Sequence, residues 1–228
     1  MRQHNEDAFL DRCEAQLWVV ADGMGGHHAG DVASRAIVDA LARTPAADQL
    51  AAMCEAVDDE LMAVHASLWR SGGQERRSIM GSTVVFLLLR EGFALCGWAG
   101  DSRAYLYRGG GLRQMTRDHS LVAEMVAAGE LDAADAESHP NANVVTRAIG
   151  ASPHLALDYQ VQELRPGDRW LLCSDGISKE LNDTQLAALL ATDRPADASL
   201  DGLFKACLAG PAQDNATAVL VDIGAGPA

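Results

Sequence analysis

The chain has 228 residues, 48% of them hydrophobic, enough to bury one sizeable core and to fold as a single domain over 1–228 without demanding a second. A formal net charge of −14 argues against nucleic acid or an anionic membrane as partner. Five scattered cysteines without a CxxC pair, no leader-like start and no apolar stretch near the ~20 residues of a membrane helix point to a soluble, cytoplasmic protein with free thiols.

Residues 16 to 21 read as a fully buried strand, and DGMGGHHAG (22 to 30) leads from it into a helix from about Asp31 to Thr44. Pro45 breaks that helix. Leu50, Met53, Val57, Leu61, Val64 and Leu68 recur at helical steps and form the apolar stripe of a second helix, which the loop SGGQERRS (71 to 78) ends. STVVFLLL (82 to 89), FALCGWA (93 to 99), RAYLYR (103 to 108) and LRQM (112 to 115) read as strands, joined by turns short enough for antiparallel neighbours. Helical stretches over 119 to 129 and 132 to 137 follow, then an irregular stretch around 138 to 143 and a helical turn over 144 to 148. A strand from His154 to Leu164, the buried run 170 to 174, helices over 183 to 191 and 196 to 209 and a last strand over 215 to 223 complete the chain. Strands cluster with strands and helices come in pairs. The pattern therefore predicts an α+β fold of packed antiparallel sheets with helix pairs outside, not a doubly wound parallel sheet.

Four aspartates sit where the apolar runs meet loops: Asp22 after LWVVA, Asp101 after ALCGWAG, Asp175 after WLLCS, and Asp214 before NATAVLVDI. Carboxylates gathered at the mouth of a core repel one another and take up protons unless a cation lets them stay ionised. With Glu6 and Asp7 they form an oxygen-only donor set, which suits Mg²⁺ or Mn²⁺ better than zinc. Gly23 and Gly176 each follow an aspartate, where a sharp turn would offer a backbone carbonyl to the ion. Other motif readings fail. GMGGHH places His28 where a dinucleotide fingerprint needs glycine, GDSRA leads into a strand where a hydrolase elbow needs a helix, and HExxH, P-loop and EF-hand patterns are absent.

RQHNEDA (2 to 8), VADGMGGH (20 to 27), GST (81 to 83), GDSR (100 to 103), DHS (118 to 120), LLCSDG (171 to 176) and QDNATAVLV (213 to 221) together resemble the bacterial metal-dependent serine/threonine protein phosphatases of type 2C. The resemblance spans essentially the whole chain. It implies a four-layer α-β-β-α sandwich: two central antiparallel sheets flanked by helix pairs, with two Mn²⁺ or Mg²⁺ ions in a cleft at one end. On the matching positions, Asp22 would bridge both ions, joined by the Gly23 carbonyl, and Asp175 and Asp214 would complete the first site. Glu6 and Asp7 would serve the second, while Asp101 with Asp175 resembles the position of a third, weaker ion.

Arg2 would clamp the substrate phosphate, and His27 is a candidate proton donor to the leaving alkoxide. Asp118 and His119 are expected to end a strand and cap the next helix, and residues 119 to 150 resemble the family's flap beside the cleft. Cys173 reads as a buried structural thiol. Family members normally carry a strand upstream of the arginine, so one sheet is expected to lack an edge here, and Arg2 and Glu6 to be held less firmly than in a longer chain. The implied activity is hydrolysis of phosphoserine and phosphothreonine in phosphoproteins, opposing a serine/threonine kinase, by a monomer. The alternatives are a phosphoprotein-binding pseudophosphatase and a metallophosphatase for small phosphate esters.

Overall fold

Alternation along the strands sorts the apolar residues into three layers, and these hold four layers of structure apart. The computed structural model describes residues 4–26, 29–71, 80–212 and 214–224. The first sheet runs in the order β1 (Asp7–Arg12), β2 (Leu17–Gly25), β4 (Val84–Arg90), β5 (Phe93–Ala99) and β8 (Asp158–Glu163), with β3 (Met80–Ser82) paired to the far end of β2. The second runs β10 (Ala218–Asp222), β9 (Arg169–Cys173), β6 (Arg103–Arg108) and β7 (Gly111–Gln114). Every pairing within both sheets is antiparallel.

On β2 and β4, Leu17, Val19, Val84, Phe86 and Leu88 face the helix pair α1 (Ala29–Arg43) and α2 (Leu50–Ser71), meeting Ile37, Leu41, Met53, Val57 and Leu61. The intervening Trp18, Val20, Val85 and Leu87 face the second sheet and pack with Ala104, Leu106, Trp170, Leu172 and Val219. The outer face of that sheet, through Tyr105, Leu171 and Cys173, covers Leu186 of α5 (Asp183–Leu189) and Leu203 and Cys207 of α6 (Ala196–Ala209). Period-two alternation with both faces apolar is what a strand needs when it is covered on both sides. The α-β-β-α sandwich expected from the sequence is the fold observed.

Three local expectations give way, and one strand is added. DAFLDR forms β1, in register with β2 from Asp7 opposite Asp22 to Arg12 opposite Leu17, although Phe9 is exposed. The first sheet thus gains an edge strand that the sequence pattern hides. Residues 144 to 148 make no helical turn; isolated bridges join Val145 to Ser120 and Ile149 to Ser82 instead. The strand before Leu164 is shorter than expected, and residues 132 to 137 contribute only a single 3-10 turn, Ala133–Asp135.

The second helix pair is anchored by one side chain. Arg169, buried in β9, donates to both carboxylate oxygens of Asp222 (2.5 and 2.7 Å), to Ser199 Oγ (3.1 Å) and to the carbonyls of Ala191 (3.1 Å) and Arg194 (2.9 Å). Ala191 and Arg194 lie in the connection that leaves the C-terminus of α5, and Ser199 lies in the first turn of α6, so one side chain ties the two helices to the sheet. Arg169→Met leaves these acceptors without their shared donor, and the free energy of unfolding is expected to fall by about 3 kcal/mol. Urea denaturation followed by circular dichroism measures it; a loss under about 1 kcal/mol would show that the fork is dispensable.

Candidate metal centre

Antiparallel alternation brings the end of β2, the end of β5 and the start of β6 to the same edge of the sandwich as the end of β9 and the start of β10. The aspartates at those positions therefore converge. Asp22, Asp101, Asp175 and Asp214, with Glu6 and Gly23, line one cavity of about 860 Å³. Asp7 stands opposite Asp22 in the β1–β2 register and accepts a hydrogen bond from Ser174 Oγ of the second sheet at 2.8 Å.

The local geometry differs from the expected turns. Asp22 lies inside β2, which continues to Gly25 and pairs Gly23 with Ser82 of β3. Gly23 serves close approach instead of a turn: its N–H donates to the Glu6 carbonyl at 3.1 Å, and a Cβ there would overlap the Gly30 carbonyl. Gly176 likewise sits within the short helix α4 (Asp175–Ser178), where a Cβ would overlap the Asn215 carbonyl oxygen. Both glycines let backbone from distant segments stack against the acidic edge.

The backbone of Glu6 is hydrogen-bonded on both sides. Its N–H donates to Asn215 Oδ1 (3.0 Å), and its carbonyl accepts from Gly23 N and from Ser34 Oγ (2.6 Å). Its carboxylate lies against Gly30 in the first turn of α1, where the helix dipole favours negative charge. Arg2 and His27 lie outside the described residues.

The remaining motif residues position backbone. Asp22 N–H donates to Thr83 Oγ1 (3.2 Å), while its carbonyl accepts from Thr83 N–H (2.9 Å) and Ser82 Oγ (3.0 Å). Thr83 Oγ1 in turn meets Ser102 Oγ at 2.7 Å, linking GST to GDSR. Arg103 grips Asp118 with both Nε (2.9 Å to Oδ1) and Nη2 (2.7 Å to Oδ2). The cap of helix α3 (Leu121–Ala128) is neither Asp118 nor His119: Ser120 Oγ accepts from Ala123 N–H. His119 is buried, stacks on Trp98 and takes the Gly100 N–H on Nδ1 at 3.2 Å, with Nε2 facing Asp158 at 3.2 Å. That bond holds the residue before Asp101.

Electrostatically the cluster is under-neutralised. Burial, reinforced by the charges of Asp7, Asp175 and Asp101, raises the Asp22 carboxyl well above its ordinary range. Burial also raises Asp7, against hydrogen bonds from Thr217 and Ser174. Asp101 is pushed up to about 6, first by burial and then by Asp175. Among the described residues no three acidic, histidine or cysteine side chains close into a ligand shell.

The fit to a hard cation rests instead on the oxygen-only donors and on one atom: Asp175 Oδ1 is buried and finds no hydrogen-bond donor. An orphaned carboxylate oxygen among like charges is the environment a divalent ion satisfies. Cys173, on the strand leading to Asp175, is buried with its thiol pushed up to about 12, as a structural cysteine should be.

Sequence reading missed Lys179. Its Nζ donates to Asp175 Oδ2 at 2.5 Å and to Asn143 Oδ1 at 2.7 Å. Burial pushes the lysine pKa down, but Asp175 outweighs it and holds the ammonium above its ordinary range. The four-residue spacing from Asp175 was the available signal.

A family model described as Protein phosphatase 2C matches residues 2–222. The chain is 34% identical to the serine/threonine phosphatase stp of Listeria monocytogenes serotype 4b, over 97% of this chain and 91% of that protein. It is 35% identical to the serine/threonine protein phosphatase PstP of Mycobacterium tuberculosis, over 98% of this chain but 43% of PstP. Among solved structures, PppA, described as a key regulatory component of T6SS in Pseudomonas aeruginosa, superposes with a TM-score of 0.89 at 45% identity, covering 97% of this chain and 92% of PppA. The catalytic domain of PstP in complex with 2 manganese ions superposes with a TM-score of 0.84 at 32% identity, covering 99% and 94%.

The raised carboxyls give metal-free protein a definite pH dependence. Folded Asp101 keeps its proton up to about 6, whereas the unfolded chain releases it near 3.8, so stability falls as pH rises across that window. Chelator-treated protein is expected to melt several degrees lower at pH 7 than at pH 4, and Asp101→Asn to raise the pH 7 midpoint while changing the pH 4 midpoint far less. Equal effects of the substitution at both pH values in calorimetric scans would sink this account.

Proposed function

The chain belongs to the protein phosphatase 2C family, and from that premise we propose how its acidic edge performs the chemistry. The enzyme is a metal-dependent protein serine/threonine phosphatase, a hydrolase of phosphate monoesters. The observation that carries the site assignment is the convergence of carboxylates from both sheets on one cavity, with a buried Asp175 oxygen left without a donor.

In this reading the whole chain is one catalytic domain, with residues 119 to 150 as a flap. Asp22, the Gly23 carbonyl, Asp175 and Asp214 would hold a first Mn²⁺ or Mg²⁺ ion, and Asp22 with Glu6 and Asp7 would serve a second. Asp101, with Asp175, faces an outer and weaker position. The PstP structure with 2 manganese ions supports a two-ion core. Bound ions would supply water of lowered pKa and positive charge facing the phosphoryl oxygens.

The chain's own residues do the rest. Ser82 and Thr83 fix the backbone of Asp22, Ser174 and Asn215 fasten Asp7 and Glu6 to the second sheet, and the cavity between them receives the phosphate. Arg2 is assigned as the fork on the phosphate oxygens and His27 as proton donor to the leaving oxygen, both from sequence. No nucleophilic side chain is required. We further assign phosphorylated proteins and an opposing serine/threonine kinase as partners, a monomeric state and a cytoplasmic location. Among the described residues no helix is long and apolar enough to cross a membrane.

Release of phosphate from a phosphothreonine peptide is expected to require Mn²⁺ or Mg²⁺ and to stop on chelation. Asp22→Asn and Asp175→Asn should each lower kcat at least about 10²-fold, the scale of losing one charged contact to the transition state. Activity that survives both chelator and Asp175→Asn would refute the metal mechanism. No turnover with any metal would favour a phosphoprotein-binding pseudophosphatase, and turnover confined to a small aryl phosphate would favour the small-ester enzyme.

A further inference from the structure

The acidic cleft adjoins a second cavity of about 740 Å³ beneath the flap, and Asp101, Asn143, Asp175 and Lys179 line both. Lys179 is the only lysine or arginine among the described residues that line the cleft. Its backbone N–H donates to the Asp175 carbonyl at 2.8 Å, which fixes the root of the side chain one helical turn beyond the carboxylate. Two of its three ammonium donors are committed, one to Asp175 Oδ2 and one to Asn143 Oδ1. The opposite oxygen of the same carboxylate, Oδ1, is the one without a donor. Asp175 therefore presents two unlike faces: an inner oxygen open to an ion, and an outer oxygen already holding a positive charge.

We propose that the ammonium of Lys179 is a resident cation of the cleft, which occupies the outer face of Asp175 beside Asp101 and so confines divalent ions to the inner carboxylates. The inference rests on the metallophosphatase reading of this site. An ion entering between Asp101 and Asp175 would have to displace a short charge-assisted hydrogen bond and approach a like charge. The Lys179 charge also acts on Asp101, opposing the upward push of burial and Asp175. Removing the ammonium leaves Asp101 and the outer oxygen of Asp175 facing each other without a counter-charge, and that pair then becomes an oxygen site for a hard cation. A lysine with a merely structural role has no reason to change the number of ions bound.

The test is equilibrium dialysis of the full chain against Mn²⁺ with metal analysis, alongside electron paramagnetic resonance of bound Mn²⁺. Lys179→Met is expected to bind one more ion per chain than the wild type, at least about tenfold tighter than any outer binding the wild type shows. Lys179→Arg keeps the charge and should keep the wild-type count, while Asp101→Asn in the Lys179→Met background should remove the added ion. Lys179→Gln serves in place of Lys179→Met if that variant is misfolded by circular dichroism. Identical ion counts and affinities in wild type and the folded neutral variant overturn the proposal. Absence of Mn²⁺ binding in every variant, wild type included, overturns the metal reading of the site itself.

Discussion

Mutual repulsion among carboxylates at one edge of the sandwich is the constraint on which the rest of the structure turns. Asp7 and Asp22 come from the first sheet, Asp175 and Asp214 from the second, and Asp101 from the connection between them. Bringing these groups together in a partly dry cavity opposes folding unless they take up protons or a cation, and the upward shifts at Asp7, Asp22 and Asp101 are the signature of that opposition. The stability that tolerates it has to come from elsewhere. The three apolar layers supply it, above all the one between the sheets, where Trp18, Trp98 and Trp170 are buried together.

Around this edge, short polar side chains do work that the acidic residues cannot do for themselves. Ser82 and Thr83 satisfy the backbone of Asp22, Ser102 joins Thr83, and His119 takes the N–H that precedes Asp101. Ser174 binds Asp7 while its oxygen accepts the Thr217 N–H at 3.0 Å, so a single hydroxyl fastens β1, β9 and the approach to β10. Apart from the Arg103–Asp118 ion pair, the sequence blocks surrounding the aspartates thus supply neutral hydrogen-bonding groups. Neutral donors and acceptors can be buried at this edge without adding to a negative charge that is already excessive.

What could be read from the sequence follows from the same physics. A carboxylate beside a fully apolar run has few inexpensive environments, so Asp22, Asp101, Asp175 and Asp214 stood out, and they do share one cavity. Strand β1 was hidden because DAFLDR exposes Phe9 and half-buries its neighbours; pairing with β2 holds it, not burial. The two apolar faces of β2 and β4 could be seen as buried, but not which layer each face would enter, since both are equally apolar. Gly23 and Gly176 were legible as special positions for the wrong reason. Their need is contact between segments far apart in the chain, and such contact leaves no local periodicity. Lys179 was overlooked because a lone lysine beyond a motif resembles a solvated surface residue until Asp175 and Asn143 are seen beside it.

The split origin of the acidic residues also constrains how ion binding can act on the molecule. Because the donors divide between two sheets, an ion held by both would cross-link layers that are otherwise joined by apolar packing and a few hydrogen bonds such as Ser174 to Asp7 and Glu6 to Asn215. Binding that favours the folded state over the unfolded one adds directly to stability, and here it would also relieve the repulsion that opposes folding. Ion occupancy and global stability are therefore coupled through the same carboxylates. Residues 119 to 150, assigned above as a flap, meet the acidic edge through the bridge of Ile149 to Ser82 and the contact of Asn143 with Lys179. Any ion that cross-links the two sheets therefore acts next to the Lys179–Asn143 contact, where the acidic edge and this segment meet.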